Sequence, residues 1–217
     1  MPKKPRGVVH SLQVSGGHQT VRQLALPESK EGIEQFFADL YSGLASDVGL
    51  TLTGVELNET DDLDFSAVLD GTPIYLELTE VLSPGHGAHE GRSNDYGVLE
   101  LASALTSAVE KKAAKYGGEQ GRPVVLLLYA TDWRVAPVPQ AIDVARFELR
   151  NDGHGFNRVE FVVPRTDGKG ILQTLFPVER DWAGFDPDHF ANQSVVIGNV
   201  TKPLPRHLWP DARGKSD

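Results

Sequence analysis

Two acidic residues, Asp64 and Glu77, lie on either side of the dipeptide Asp70-Gly71. An Asp-Gly pair between two alternating segments is typical of a two-residue β-hairpin turn. Counting back from that turn places Asp64 directly opposite Glu77, as a non-hydrogen-bonded pair whose Cβ atoms are roughly 4.5–5.5 Å apart. We therefore expect two carboxylates side by side on one face of the hairpin.

The apolar residues of the hairpin support this register, because they fall together on the opposite face. A slip of one residue would move every one of them to the wrong face. The same register places Asp62 opposite Thr79. The pairs expected on the apolar face are Leu69 with Thr72, Ala67 with Ile74, Phe65 with Leu76 and Leu63 with Leu78.

Like charges directly opposite one another destabilise a sheet, so the acidic pair needs an explanation. A divalent cation is one, since Mg²⁺ is typically held by one or two carboxylates together with substrate phosphate oxygens. A shared proton is a second explanation, with the pKa of one carboxyl raised by the other. The third is that both side chains splay into water on a solvated face.

Lys112 favours a functional reading of the acidic pair. It falls inside the apolar stripe of a predicted helix, among Leu105, Val109 and Tyr116, whereas Lys111 points away from that stripe. A lysine on a buried face extends to solvent or finds an acidic partner. Because this helix follows the acidic hairpin, we expect it to pack on the same sheet. Glu34 lies similarly at the edge of the apolar stripe of an earlier predicted helix. The alternative to a functional role is an ordinary glutamate at the boundary between the buried and exposed faces.

The periodicity of the chain predicts an α/β fold with a mixed β-sheet flanked by helices. The run from Val124 to Ala130 is almost continuously apolar, which is typical of a strand buried on both faces. Helices are expected at residues 28–46, with Ser29 as N-cap and Gly49 after the end, at 96–116, ended by Gly117-Gly118, and at 142–149. Strands are expected at residues 51–56, 63–69, 74–81, 124–130, 159–163 and 171–176. A helix between a hairpin and a buried strand indicates a crossover connection.

Taken together, Asp64, the segment Glu77-Leu78-Thr79, Lys112 and the order of the elements resemble the PD-(D/E)XK nuclease superfamily. Its core has the order α-β-β-β-α-β and is shared by restriction enzymes and Holliday-junction resolvases. The resemblance covers roughly residues 28–131 and rests on pattern. One departure is clear: the lysine of the motif falls at position 79, where this chain has threonine.

The resemblance implies a site and a reaction. Asp64 and Glu77 would bind Mg²⁺ or Mn²⁺, Glu34 would match the acid that many members carry on the first helix, and Lys112 would supply the missing amine. The reaction would be metal-assisted hydrolysis of phosphodiester bonds in nucleic acid, with DNA the expected substrate. The alternatives are a decayed nuclease-like fold that acts as a binding or scaffold protein, and a small-molecule-binding α/β domain. Because many relatives dimerise, a homodimer or a protein partner stays open.

Composition limits the remaining choices. The 217 residues carry a net charge of −9, which argues against a large sequence-independent nucleic-acid surface but not against a local basic groove. The absence of cysteine excludes thiolate metal sites and fits a cytoplasmic location, and no segment has the apolar length of a membrane span. We expect an N-terminal extension over residues 1–27, with a disordered basic start, one nuclease-like domain over 28–180 and a C-terminal extension over 181–217.

The loop expected at residues 83–95 carries His86 and His89, whose Gly- and Ser-rich surroundings favour incidental histidines over a metal site. Since the loop follows the acidic strand directly, His89 and Arg92 could also contact a substrate phosphate. Neither a phosphate-binding P-loop nor a Gly-x-Ser-x-Gly elbow occurs in the sequence.

Overall fold

A computed structural model gives the fold of the chain over residues 8–15, 18–58, 63–82, 95–116, 120–131, 135, 138–151, 153–165 and 169–196. The helices are α1 (Lys30–Ala45), α2 (Val98–Tyr116) and α3 (Pro139–Leu149), with short 3₁₀ helices at Ser46–Val48 and Pro187–Phe190. The strands are β1 (Val8–Ser15), β2 (His18–Ala25), β3 (Leu52–Leu57), β4 (Phe65–Leu69), β5 (Thr72–Glu80), β6 (Asp95–Gly97), β7 (Val124–Tyr129), β8 (Arg158–Pro164), β9 (Gly170–Phe176) and β10 (Ser194–Val196).

Six of the strands form one mixed sheet in the order β3-β4-β5-β7-β8-β9. Neighbours β5, β7 and β8 are parallel, whereas β3, β4 and β9 join antiparallel to their neighbours. Helix α2 connects β5 to the parallel strand β7, as parallel neighbours require. The fold is therefore α/β with a mixed sheet flanked by helices, which confirms the predicted class.

The sheet separates two apolar clusters. Helix α1 packs on one face, where Phe37 and Tyr41 meet Leu76 and Leu127. Helices α2 and α3 cover the other face, where Leu105 and Val144 belong to the cluster. All six residues of β7 are buried, because this strand lies in the middle of the sheet with helices on both faces.

The hairpin forms as the sequence predicts. Strands β4 and β5 pair from Leu69↔Thr72 to Phe65↔Leu76. Asp70 has φ +48° and Gly71 has φ +79°, the left-handed conformations that a type I′ turn requires at both central residues. Ser29 is also confirmed as the N-cap of α1, since its hydroxyl accepts a hydrogen bond from the Gly32 amide at 3.0 Å.

The expected pair between Leu63 and Leu78 is wrong. The ladder ends at Phe65↔Leu76. Leu63 packs in the cluster under α2, whereas Leu78 packs in the cluster under α1. The physical reason is that side-chain hydrogen bonds from Asp64 and Glu77 replace the backbone pairing at this end, which frees the chain to turn Leu63 to the other face.

Two small sheets were not predicted. Strands β1 and β2 form an antiparallel hairpin from Val8↔Ala25 to Ser15↔His18, within the expected N-terminal extension. Strand β6 pairs antiparallel with β10, which brings part of the expected C-terminal extension beside the start of α2. In the portion of the chain that is described, no helix combines the length and the apolar character needed to cross a membrane.

A candidate metal and phosphate site on the β4–β5 hairpin

Glu77 sits near the middle of β5 with its side chain pointing toward α2. The strand alternates, so that Ile74, Leu76 and Leu78 face α1 while Tyr75 packs on the α2 side. Only 1% of Glu77 is exposed. A carboxylate buried to that degree needs charged or hydrogen-bonded partners.

Asp64 supplies the second carboxylate from just before the start of β4. Its backbone N–H donates to Glu77 Oε2 at 3.2 Å, and its own Oδ2 accepts from the Leu78 N–H at 2.7 Å. Each acid therefore accepts a main-chain hydrogen bond at the end of the hairpin. The structure thus brings Asp64 and Glu77 together, but through side-chain hydrogen bonds beyond the last strand pair, Phe65↔Leu76.

Lys112 reaches this pair from the C-terminal half of α2. Its ammonium donates to Glu77 Oε1 in an ion pair, with 23% of the lysine side chain exposed against 1% of the glutamate. The helix can present a lysine here because Lys112 occupies the edge of a stripe whose other members, such as Leu105 and Val109, bury against the sheet. The helix thus places an amine in contact with Glu77.

The electrostatics of Glu77 reflect both its burial and its neighbours. Burial raises the pKa of Glu77 to about 6, the Lys112 ammonium opposes that shift, and the nearby Asp64 charge adds to it. Groups with a pKa perturbed by burial and by a specific charged partner concentrate at functional sites.

Glu34 is buried on α1, with 7% of the residue exposed, and its partner is Lys30 one turn earlier. Lys30 Nζ lies 3.1 Å from Glu34 Oε1. Burial raises the pKa of Glu34, the Lys30 hydrogen bond opposes this, and the charges of Asp64 and Lys112 also contribute. Glu34 is therefore within electrostatic range of the acidic pair, but its ion pair is with Lys30 and not with Lys112.

Three of the four carboxylate oxygens of Asp64 and Glu77 take part in hydrogen bonds or the ion pair. Two carboxylates face one ammonium, which leaves one negative charge without a partner. Within the described residues, Asp64 Oδ1 forms no hydrogen bond, so a hard oxygen ligand is available beside Glu77. No set of three or more Asp, Glu, His or Cys side chains in the described ranges is placed to hold a metal. A cation here would take its remaining ligands from water or substrate phosphate, as Mg²⁺ commonly does.

Thr79 lines an open cleft of about 620 Å³ between β5 and α2. It lies two residues after Glu77 and hence on the same face of the strand. The opposite wall of the cleft is the exposed side of α2, including Ser103, Ser107 and Lys111. Two acids, Glu80 and Glu100, also line this cleft, whereas Asp64, Glu77 and Lys112 do not.

Sequence reasoning missed two partners of the site. Lys30, which holds Glu34, could have been found from the spacing of four residues between them on one helix. Tyr116 lies beside Lys112, whose Nζ is 5.6 Å from the ring centroid, and nothing but its place on the helical stripe signals that contact. Asp62, His86, His89 and Arg92, and the expected helix stop at Gly117-Gly118, lie outside the described residues.

No protein-family model matches this chain, and neither does any curated protein sequence. Among solved structures, the chain is similar to SfsA of Pyrococcus furiosus in complex with Ca²⁺. The two chains are 13% identical, the alignment covers 76% of this chain and 74% of SfsA, and the TM-score is 0.26. A likeness that low carries no conclusion about fold or function.

Proposed function

We propose that this protein is a metal-dependent nuclease, cytoplasmic in location, that hydrolyses phosphodiester bonds in nucleic acid, with DNA as its substrate. The observation that carries the proposal is the contact of Lys112 with Glu77 directly beside Asp64. Glu77 thus contacts both a second carboxylate residue and an amine. That is the set of groups that metal-assisted hydrolysis of a phosphate ester needs.

Each residue has a role that follows from its surroundings. Asp64 and Glu77 would hold Mg²⁺ or Mn²⁺, and the metal when bound would lower the pKa of a water molecule. Lys112 places its positive charge where the charge on the phosphate grows during hydrolysis. Glu34 would keep the local field negative and favour cation binding, and Lys30 holds it in place.

The test is cleavage of labelled single-stranded and duplex DNA in Mg²⁺, in Mn²⁺ and in EDTA. Asp64→Asn keeps the size of the side chain and removes its charge, so activity should disappear while the fold is retained. Asp39→Asn is the matched control, because Asp39 is an exposed acid on α1 whose contact is with Gln35. Cleavage that survives EDTA or survives Asp64→Asn would overturn the proposal.

A second candidate is a binding or scaffold protein that retains the site without its activity. The observation that favours it is the Glu77–Lys112 ion pair, which neutralises Glu77 without a metal, together with threonine at position 79. Calorimetric titration with Mg²⁺ and Mn²⁺ separates the two candidates. Saturable binding that Asp64→Asn/Glu77→Gln abolishes supports the nuclease, whereas no binding by the folded wild type, with or without DNA, supports the scaffold.

A further inference from the structure

We propose that the cleft beside α2 is a self-association surface, in which α2 of a second copy of this chain docks antiparallel about a twofold axis. Along the cleft, α2 carries an acid at one end, Glu100, small residues in the middle and a cation at the other end, Lys111. Such a face is complementary to itself when the helix is reversed, as a twofold interface requires. The inference goes beyond the proposed function and does not depend on it.

The docking face consists of six residues of α2 that line the cleft. They recur at spacings of three and four residues, so they lie along one side of the helix. The two alanines among them are partly buried and the other four residues are exposed. The six are Glu100, Ser103, Ala104, Ser107, Ala108 and Lys111. Another side of α2, with Leu105 and Val109, is buried in the core, so the helix can present the docking face without losing its own packing.

The residue types of the docking face match in an antiparallel arrangement. Its midpoint lies between residues 105 and 106. In a pair of helices related by a twofold axis at that midpoint, position 100 faces position 111 of the other copy, position 103 faces 108, and position 104 faces 107. Each acid then meets a cation at either end, and only serine and alanine meet between them. Since the distance between packed helices depends on the side chains at the contact, these small residues allow a close approach.

The charges at the two ends have no ion-pair partner among the described residues. Glu100 Oε2 accepts a hydrogen bond from the Gly97 N–H at 2.9 Å, which leaves its negative charge in place. The third charged residue of the cleft, Glu80, comes from β5 and accepts a hydrogen bond from the Thr131 hydroxyl, so it lies outside the docking face. A partner that complements this face must therefore bring a cation to one end and an anion to the other, and reversed α2 brings both.

Apolar surface in the same cleft adds to the two ion pairs. Leu82 follows β5 and is 52% exposed, and it lines the cleft together with the partly buried Leu99. Burial of such surface favours association. The cleft has ten lining residues, whereas a standard interface has roughly 20–30 on each side, so we expect a weak dimer with Kd on the order of 10–100 μM. At the dilution of a cleavage assay the protein is then a monomer.

Sedimentation equilibrium from about 10 μM to about 1 mM protein measures the association. Lys111→Glu and Glu100→Lys each turn both ion pairs into repulsions, so each should weaken association on the order of tenfold. An equimolar mixture of the two variants should recover the wild-type affinity, because every lysine then faces a glutamate. Glu148→Lys is the matched control, since it makes the same change of charge at an exposed position on α3 and should leave the affinity unchanged.

Circular dichroism checks that each variant folds. If Glu100→Lys does not fold because the Gly97 amide loses its acceptor, Ser103→Gln/Ser107→Gln tests the same face. Both serines are exposed, and glutamine has the higher helix propensity, so the fold should be retained. The longer side chains hold the two helices apart, and association should weaken at least as much as in Lys111→Glu.

Three outcomes overturn the docking face. They are a wild type that stays monomeric over the whole concentration range, equal effects of Lys111→Glu and Glu148→Lys, and a mixture of the folded charge variants that associates no more tightly than either alone. Association that mixing restores supports the docking face whether or not the protein cleaves DNA. The cleavage assay is carried out on the monomer, so failure of the nuclease proposal leaves this result unchanged.

Discussion

Two buried glutamates on the same sheet, Glu77 on β5 and Glu160 on β8, have similar partners and different surroundings. Glu77 is 1% exposed and pairs with Lys112, and Glu160 is 0% exposed and pairs with Arg158. In both pairs the cation is 23% exposed. Burial of a carboxylate beside a cation is therefore not what distinguishes the candidate site.

The difference lies in the third group. Beside Glu77 stands a second carboxylate, Asp64, whereas beside Glu160 stands Thr174, whose hydroxyl donates to Glu160 Oε1 at 3.2 Å. The Glu160 cluster is thus balanced in charge, with both hydrogen bonds at Glu160 Oε1, while the buried Oε2 has no hydrogen-bond partner among the described residues. The Glu77 cluster keeps an excess negative charge, because two carboxylates stand beside one ammonium. We infer that the Glu160 cluster stabilises the native packing and that the Glu77 cluster binds a ligand.

The largest expected effect is on stability, from Arg158→Met. The variant leaves Glu160 buried without its cation, which should lower the free energy of unfolding by about 3–5 kcal/mol. Urea unfolding followed by circular dichroism measures it, with Arg150→Met as the exposed control. A loss as small as that of the control would mean that Arg158 is held at the surface and that the two glutamates do not share the same kind of partner.

The corresponding change at the candidate site, Lys112→Met, should act on turnover. Removal of one preorganised donor to a developing negative charge costs about 10²–10³ in rate. We expect kcat for DNA cleavage to fall by that factor with little change in KM, because Lys112 is paired with Glu77 before substrate arrives. Lys111→Met serves as the neighbouring control for kcat. If KM rises while kcat is unchanged, Lys112 contributes to substrate affinity and not to catalysis.

A pH series should separate Glu160 from exposed acids. Burial raises the pKa of Glu160, and the Arg158 guanidinium only partly opposes the shift. A carboxyl whose pKa is raised by folding contributes stability below its unfolded pKa, and that contribution is lost as the pH rises through the folded pKa. Wild type should therefore lose stability relative to Glu160→Gln as the pH rises from about 4 toward neutrality. Equal behaviour of Glu148→Gln, an exposed change on α3, would contradict the assignment.

The fold was predictable where a local pattern coincided with the tertiary environment. Three local patterns each predict one structure that the sheet contains. The Asp70-Gly71 turn predicts the hairpin, the alternation of β5 predicts a strand, and the apolar run of β7 predicts a strand buried on both faces. The pairing of Leu63 was not predictable, because it depends on hydrogen bonds from Asp64 and Glu77 side chains that end the ladder. The β6–β10 pair joins residues about a hundred positions apart, and three-residue strands leave almost no pattern.

The candidate site was predictable where its residues follow from counting along the hairpin or along the apolar stripe of α2. Asp64 and Glu77 are opposite one another by counting, and Lys112 contacts Glu77 because its helical stripe faces the sheet. Glu160 was overlooked, although a glutamate inside the apolar run from Val159 to Val163 is itself a signal of a buried charge. Its partners Arg158 and Thr174 come from β8 and β9, and which strands become neighbours is a property of the whole sheet.

The smallest expected effect is the one that tests the comparison most directly. Asp64→Asn removes a like charge beside Glu77 and retains an oxygen that can accept the Leu78 N–H. In EDTA it should stabilise the protein by about 0.2–1 kcal/mol, since like charges opposite one another destabilise a hairpin by that much. At saturating Mg²⁺ the order should reverse, because a cation that binds only the native wild type raises its stability with concentration. Thermal unfolding with and without Mg²⁺ measures both effects. If Asp64→Asn is less stable than wild type in EDTA as well, Asp64 stabilises the fold as Thr174 does beside Glu160. The Glu77 and Glu160 clusters are then both structural.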